Sequence, residues 1–162
     1  MSHRHKLLTA CLCLYLGACS NEGARYLPED IGAFARGYTA AWNSHDPDGV
    51  AAFYAADGAL TVNSGEPAVG REAIAAVAKS FMDAFPDLVL INTANEDVGV
   101  RIRYHWRFIG SNTGPGGSGA SVDFEGHEAW VFDAQGLILD SQGSFDAADY
   151  ESQLASGAAQ TP

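Results

Sequence analysis

Val98-Gly-Val-Arg-Ile-Arg-Tyr-His-Trp-Arg-Phe-Ile109 alternates apolar and polar, mostly basic, residues with a period of two. Such alternation marks a strand with one face buried and the other in water. Val100, Ile102, Tyr104, Trp106 and Phe108 share one face; Arg101, Arg103, His105 and Arg107 share the other. The next apolar stretch, Ser121 to Phe132, repeats the pattern. Val122, Phe124, Gly126, Glu128, Trp130 and Phe132 fall on one parity. Asp123, Glu125 and His127 fall on the other, placed to pair with the arginines across strands. Glu128 is the exception, a carboxyl on a face that should be buried, where an unpartnered acid is costly.

Working outward, Asp87 to Asn92 and Gly136 to Phe145 are strand-like as well. Thr93 to Asp97, the glycine-rich Gly114 to Gly119 and the turn Asp133-Ala-Gln-Gly136 connect the four strands. Parity with Phe145 turns Leu139, Ser141 and Gly143 inward and Asp140 outward. Upstream the period changes to that of helices. Leu27-Pro28-Glu29-Asp30 opens a first helix, along which Ile31, Phe34, Ala35, Tyr38, Ala41 and Trp42 recur at helical spacing. Asp46-Pro47-Asp48 opens a short second helix ending near Ala55, Ala59 to Asn63 is a further strand, and a third helix runs from Gly70 to Phe85 before Pro86. Asp146 caps a last helical turn through Leu154. Helices followed by a meander of antiparallel strands predict an α+β fold.

These residues resemble a known family. Tyr38-Thr-Ala-Ala-Trp-Asn-Ser-His-Asp-Pro-Asp-Gly-Val-Ala-Ala-Phe-Tyr-Ala-Ala-Asp57 is similar to the opening of the nuclear-transport-factor-like superfamily, which includes SnoaL-like polyketide cyclases and ketosteroid isomerases. Gly70-Arg-Glu-Ala-Ile74, Phe85-Pro86-Asp87 and Arg107-Phe-Ile-Gly-Ser-Asn-Thr-Gly114 are similar to the SnoaL-like pattern further along. The resemblance covers residues 30 to 155 and implies a curved sheet wrapped around three helices, a cone with one apolar pocket. It also implies a site. Tyr38, eight residues before Asp46, matches the isomerases' oxyanion tyrosine, and Glu128 falls on their protonated aspartic acid. Their general base falls on Val62, or on Asn63 if the register slips by one, and neither is a carboxylate.

The expectation is therefore a pocket without the isomerases' base. Burial should favour the neutral form of Glu128, so that Tyr38 and Glu128 together donate to a ligand carbonyl or enolate oxygen, an arrangement described for ketosteroid isomerase itself. Alternatively Glu128 serves as acid or base, as pocket carboxylates do in SnoaL-like cyclases. Trp42, Val62, Tyr104, Trp106, Ser141 and Phe145 are the expected ligand-binding residues, and the ligand is small, largely apolar and carbonyl-bearing. The competing reading is a non-catalytic ligand-binding or protein-interaction module. No pair of histidines has metal-site spacing with a third ligand, so no metal and no other cofactor is expected.

The first residues speak to location. Met1 to Lys6 carries Arg4 and Lys6 and no acid, and Leu7 to Ala18 is an uncharged, mostly apolar run shorter than the roughly 20 residues needed to span a bilayer. Leu16-Gly17-Ala18-Cys19 resembles a bacterial lipobox. The expectation is a lipoprotein signal peptide over 1–18, lipidation at Cys19, a tether over 19–27, one domain over 28–155 and a flexible tail over 156–162, anchored at the outer membrane. Removal of residues 1–18 takes the formal charge from −11 to −13, which argues against nucleic acid as partner. Cys11 and Cys13 leave with that segment, so no intrachain disulfide remains. The mixed charge of the outward strand face suits a homodimer, which sedimentation tests.

Overall fold

A computed structural model describes residues 25–158. The expected signal segment, Cys19 and most of the expected tether lie outside the described residues, as do residues 159–162. The order is α1 (Ile31–Asn43), α2 (Pro47–Ala51), β1 (Tyr54–Val62), β2 (Ala68–Val69), α3 (Arg71–Ala84), β3 (Val89–Asp97), β4 (Ile102–Ser111), β5 (Ser121–Phe132), β6 (Ile138–Phe145) and α4 (Ala147–Ala158). Among the described residues no helix is long and apolar enough to cross a membrane.

The six strands form one curved, unclosed sheet in the order β2-β1-β6-β5-β4-β3. Four of its five pairings are antiparallel; β1 and β6 run parallel. The inner face holds the residues that parity assigned to it: Ile102, Tyr104, Trp106 and Phe108 of β4, and Val122, Phe124, Glu128, Trp130 and Phe132 of β5, are all buried. Against them pack Ala35, Tyr38 and Trp42 of α1 and Ile74, Ala78 and Met82 of α3. Each large apolar side chain so buried contributes about 1.5–3 kcal/mol. One end is closed by aromatic rings: Phe34 meets Phe53, Trp130 and Phe132 edge-on at centroid distances of 5.1, 5.6 and 5.2 Å.

Several expectations are corrected. The first helix starts at Ile31 with Asp30 as its cap, accepting from Ala33 N at 2.8 Å, so Pro28 precedes the helix. The second helix stops at Ala51, and the chain is already strand at Tyr54, because β1 pairs with β6 through a bulge between Tyr54 and Ala59. Thr93 to Asp97 is strand, paired with Ile102 to His105. Val100 belongs to the β3–β4 turn and is 73% exposed. A bulge between Ile138 and Asp140 turns Leu139 outward, while Ser141 and Gly143 face in as expected. The last helix reaches Ala158, so it includes the start of the expected tail. The end of the expected tether is docked: Tyr26 bridges Phe132, and Arg25 pairs with Asp97 at 2.8 Å.

The outer face of β4 is paired. Arg107 meets Asp123 at 2.5 Å, Arg101 meets Asp140 at 2.7 Å and Arg103 meets Glu96 at 3.1 Å. His105 and His127 stand opposite each other across β4 and β5, with ring centroids 5.8 Å apart.

Candidate functional site

Glu128 sits in the middle of β5, opposite Tyr104 of β4 and Gly143 of β6. It is 7% exposed. Four side chains from four elements bond its carboxylate. Tyr38, on the inner face of α1, reaches Oε1 at 3.0 Å and Oε2 at 3.1 Å. Tyr54, the first residue of β1, lies 3.2 Å from Oε2 and 3.1 Å from the Tyr38 hydroxyl. Trp130, two residues along β5 and so on the same face, donates Nε1–H to Oε2 at 2.9 Å. Ser141 of β6, opposite Trp130, donates to Oε2 at 2.6 Å.

The indole can only donate, and the hydroxyls complete a ring of donors, so the geometry is that of an accepting carboxylate. Burial pushes the Tyr38 and Tyr54 hydroxyls well above the usual phenol range, and the negative charge of Glu128 pushes them further the same way. Both remain protonated donors at neutral pH. Tyr104 is raised too, by burial first, although its hydrogen bond with Thr39 works in the opposite direction.

Beside this cluster a small cavity of about 60 Å³ opens between the sheet and α3. Trp42, Leu60, Leu90, Trp106, Phe108 and Phe124 form its buried walls, with Glu128 and Gly143 in its lining. Val62, Val77, Phe81 and Phe145 are half-buried and form the rim. Trp106 lies across Gly126: a Cβ there would meet its ring at 2.5 Å. The absence of a side chain at Gly126 thus lets the indole lie in the wall.

Of the residues expected from sequence, Glu128, Trp42, Val62, Trp106 and Phe145 border the cavity. Tyr38, Tyr104 and Ser141 do not. Tyr38 and Ser141 are fully buried, and their hydroxyls are spent on Glu128. Tyr104 stacks on Trp130 at 4.6 Å and bonds Thr39 at 2.7 Å. The expected joint donation by Tyr38 and Glu128 to a ligand oxygen is therefore replaced by donation from Tyr38 to Glu128 itself. Asn63 is no substitute base: it takes a φ of 51°, which asparagine tolerates, and its Oδ1 accepts from Phe145 N at 2.9 Å. Trp42 Nε1 is enclosed without a hydrogen-bond partner.

Sequence reasoning missed Tyr54, since the bulge that starts β1 early leaves no periodic trace. It also missed Val77 and Phe81, although their four-residue spacing on α3 marks one helix face.

The comparisons bear on the fold and the family. A family model, the SnoaL-like domain, matches residues 35–141. The chain belongs to the SnoaL-like family. No curated protein matches it. Among solved structures, a protein of ketosteroid isomerase-like fold from Catenulispora acidiphila, in complex with trimethylamine, is 19% identical with a TM-score of 0.66, over 85% of this chain and all of that one. A putative polyketide cyclase from Xanthomonas campestris is 21% identical with a TM-score of 0.63, over 76% of this chain and 95% of its own. A putative SnoaL-like polyketide cyclase from Jannaschia is 14% identical with a TM-score of 0.66, over 86% and 100%. At these identities the likeness is one of fold. It establishes for this SnoaL-like domain a shared architecture, and the site rests on the chain's own residues.

Proposed function

We propose that the chain is an envelope lipoprotein whose SnoaL-like domain binds a small, largely apolar ligand in the cavity beside Glu128. One observation carries the reading of the site: a buried carboxylate, held by four donors, is the polar part of an otherwise apolar cavity lining. Placing an acid there is expensive, and an apolar residue of similar volume commonly serves a core as well or better. The position of Glu128 at a cavity supports a role toward a ligand.

With its donors in place, Glu128 meets a ligand as an acceptor of a hydrogen bond or a proton. On a carbonyl-bearing ligand, the proton in reach of such a base is the acidic one next to the carbonyl. That is the cyclase- or isomerase-type chemistry suggested by the relatives' names, with Glu128 as base and Tyr38 as the residue that positions it. The non-catalytic reading also has an observation behind it. The other lining residues carry no charge and no side-chain oxygen, and the Trp42 N–H is enclosed, so no donor stands ready for an enolate oxygen.

Proton exchange next to the carbonyl of small cyclic ketones in deuterated water, followed by NMR, separates the two. Exchange driven by wild type and slowed about 10²–10⁴-fold in Glu128→Gln supports the base. Shifts of cavity resonances without exchange assign the binding module. Neither shifts nor exchange would remove the cavity as a site for such ligands. The envelope half of the proposal rests on Leu16-Gly17-Ala18-Cys19. Wild type should partition with membranes and Cys19→Ala should not; equal solubility of the two would end it.

A further inference from the structure

We propose that the ligand of this cavity is a cation: a small amine, protonated or fully alkylated, whose charged nitrogen lies between Glu128 and the aromatic walls. The inference rests on reading the cavity as a ligand site and adds the sign of the ligand's charge.

Three features point to it. The first is an unbalanced charge. Among the described residues no lysine, arginine or histidine lies within ion-pair distance of Glu128, while Arg25, Lys79, Arg101, Arg103 and Arg107 all pair with other acids. A buried carboxylate surrounded only by neutral donors keeps its full attraction for a positive group, and the low-dielectric setting strengthens it. The second is the uneven use of its two oxygens. Tyr54, Trp130 and Ser141 all approach Oε2, whereas Oε1 accepts only from Tyr38, whose hydroxyl straddles both oxygens. A carboxylate has about four acceptor positions, so Oε1 keeps capacity for a donor from outside the protein. Gly143, opposite Glu128, lines the cavity beside it and places no side chain there.

The third is the wall itself. Trp42, Phe81, Trp106, Phe108, Phe124 and Phe145 surround a space whose polar surface is almost nil. Aromatic faces attract cations, most strongly where water is excluded, and they also accept the alkyl groups of a substituted amine. A strongly hydrated inorganic ion finds no such match, because most of its shell would be replaced by hydrocarbon. An anion is disfavoured by Glu128. The formal charge of −11 adds a long-range bias of the same sign.

The test uses two probes of nearly one shape, protonated N,N-dimethylbenzylamine and uncharged isobutylbenzene, titrated into the full chain at neutral pH. The amine should bind about tenfold or more tightly than the hydrocarbon. Glu128→Gln should erase that preference. Should Glu128→Gln not fold, Phe145→Leu at the rim keeps an apolar wall, removes one aromatic face, and should weaken the amine more than the hydrocarbon. Equal affinity of the two probes for wild type, or a preference indifferent to Phe145→Leu and Glu128→Gln alike, overturns the proposal and leaves the cavity standing as a site for neutral ligands. Binding of neither probe overturns the proposal together with the cavity reading.

Discussion

Ser141 makes the shortest hydrogen bond to Glu128, 2.6 Å, from a position with no exposed surface. Its removal leaves Oε2 with one donor fewer in a place water does not reach. Ser141→Ala should cost about 1.5–3 kcal/mol, the range for a hydrogen bond to a charged group, and urea unfolding measures it. A loss below a few tenths would mean that Trp130 and the tyrosines suffice to hold the carboxylate. At this scale the sequence was informative where spacing and parity speak. Tyr38 and Glu128 are 90 residues apart and meet as the family resemblance implied. Parity alone put Ser141 on the inner face. What it could not say is that inward-facing hydroxyls would be consumed by Glu128 rather than offered to a ligand, because that depends on angles and distances, not on which face a residue occupies.

Between β4 and β5, Gly126 is the position at which a strand yields to a side chain from its neighbour. Besides the Trp106 ring at 2.5 Å, a Cβ there would meet the Ser144 carbonyl oxygen at 2.7 Å. The backbone oxygen cannot move aside, so Gly126→Ala should lower stability by about 1–3 kcal/mol and displace Trp106 from the cavity wall. The drop is read from the melting transition, and the displacement from altered Trp fluorescence. The two strands involved were read from sequence with β5 exact at both ends, since a half-buried antiparallel pair writes its pattern into alternate residues. β1 was read five residues too short at its start, and its parallel pairing with β6 went unseen. Its partner lies some eighty residues away, and a bulge breaks the alternation where the strand begins.

For the molecule as a whole, three enclosed phenols set the alkaline limit. The hydroxyls of Tyr38, Tyr54 and Tyr104 all lie above their ordinary value, chiefly through burial. An acid whose folded value is raised binds its proton more tightly in the native state. Its contribution is complete below the unfolded value near 10 and is lost as pH rises above it. Thermal melts should therefore fall progressively above about pH 10, and tyrosinate absorbance should appear in step with unfolding. Ionisation of these three phenols in a chain that stays folded would contradict the burial. The α+β class and the order of the helices were legible because they follow from periodicity, whereas the bounds of the first, second and last helices were not. The open order of the sheet follows from which strands neighbour which, and no local pattern encodes that.

The chain enters the domain beside Phe132, with Tyr26 bridging to it and Pro28 against Gly136. That is the closed, aromatic-filled end. Phe145, on the cavity rim, lies at the far end of β6, whose eight residues span about 25 Å. Under the anchoring proposed above, the attachment would join the domain at its sealed side, at the opposite end of the sheet from the cavity rim.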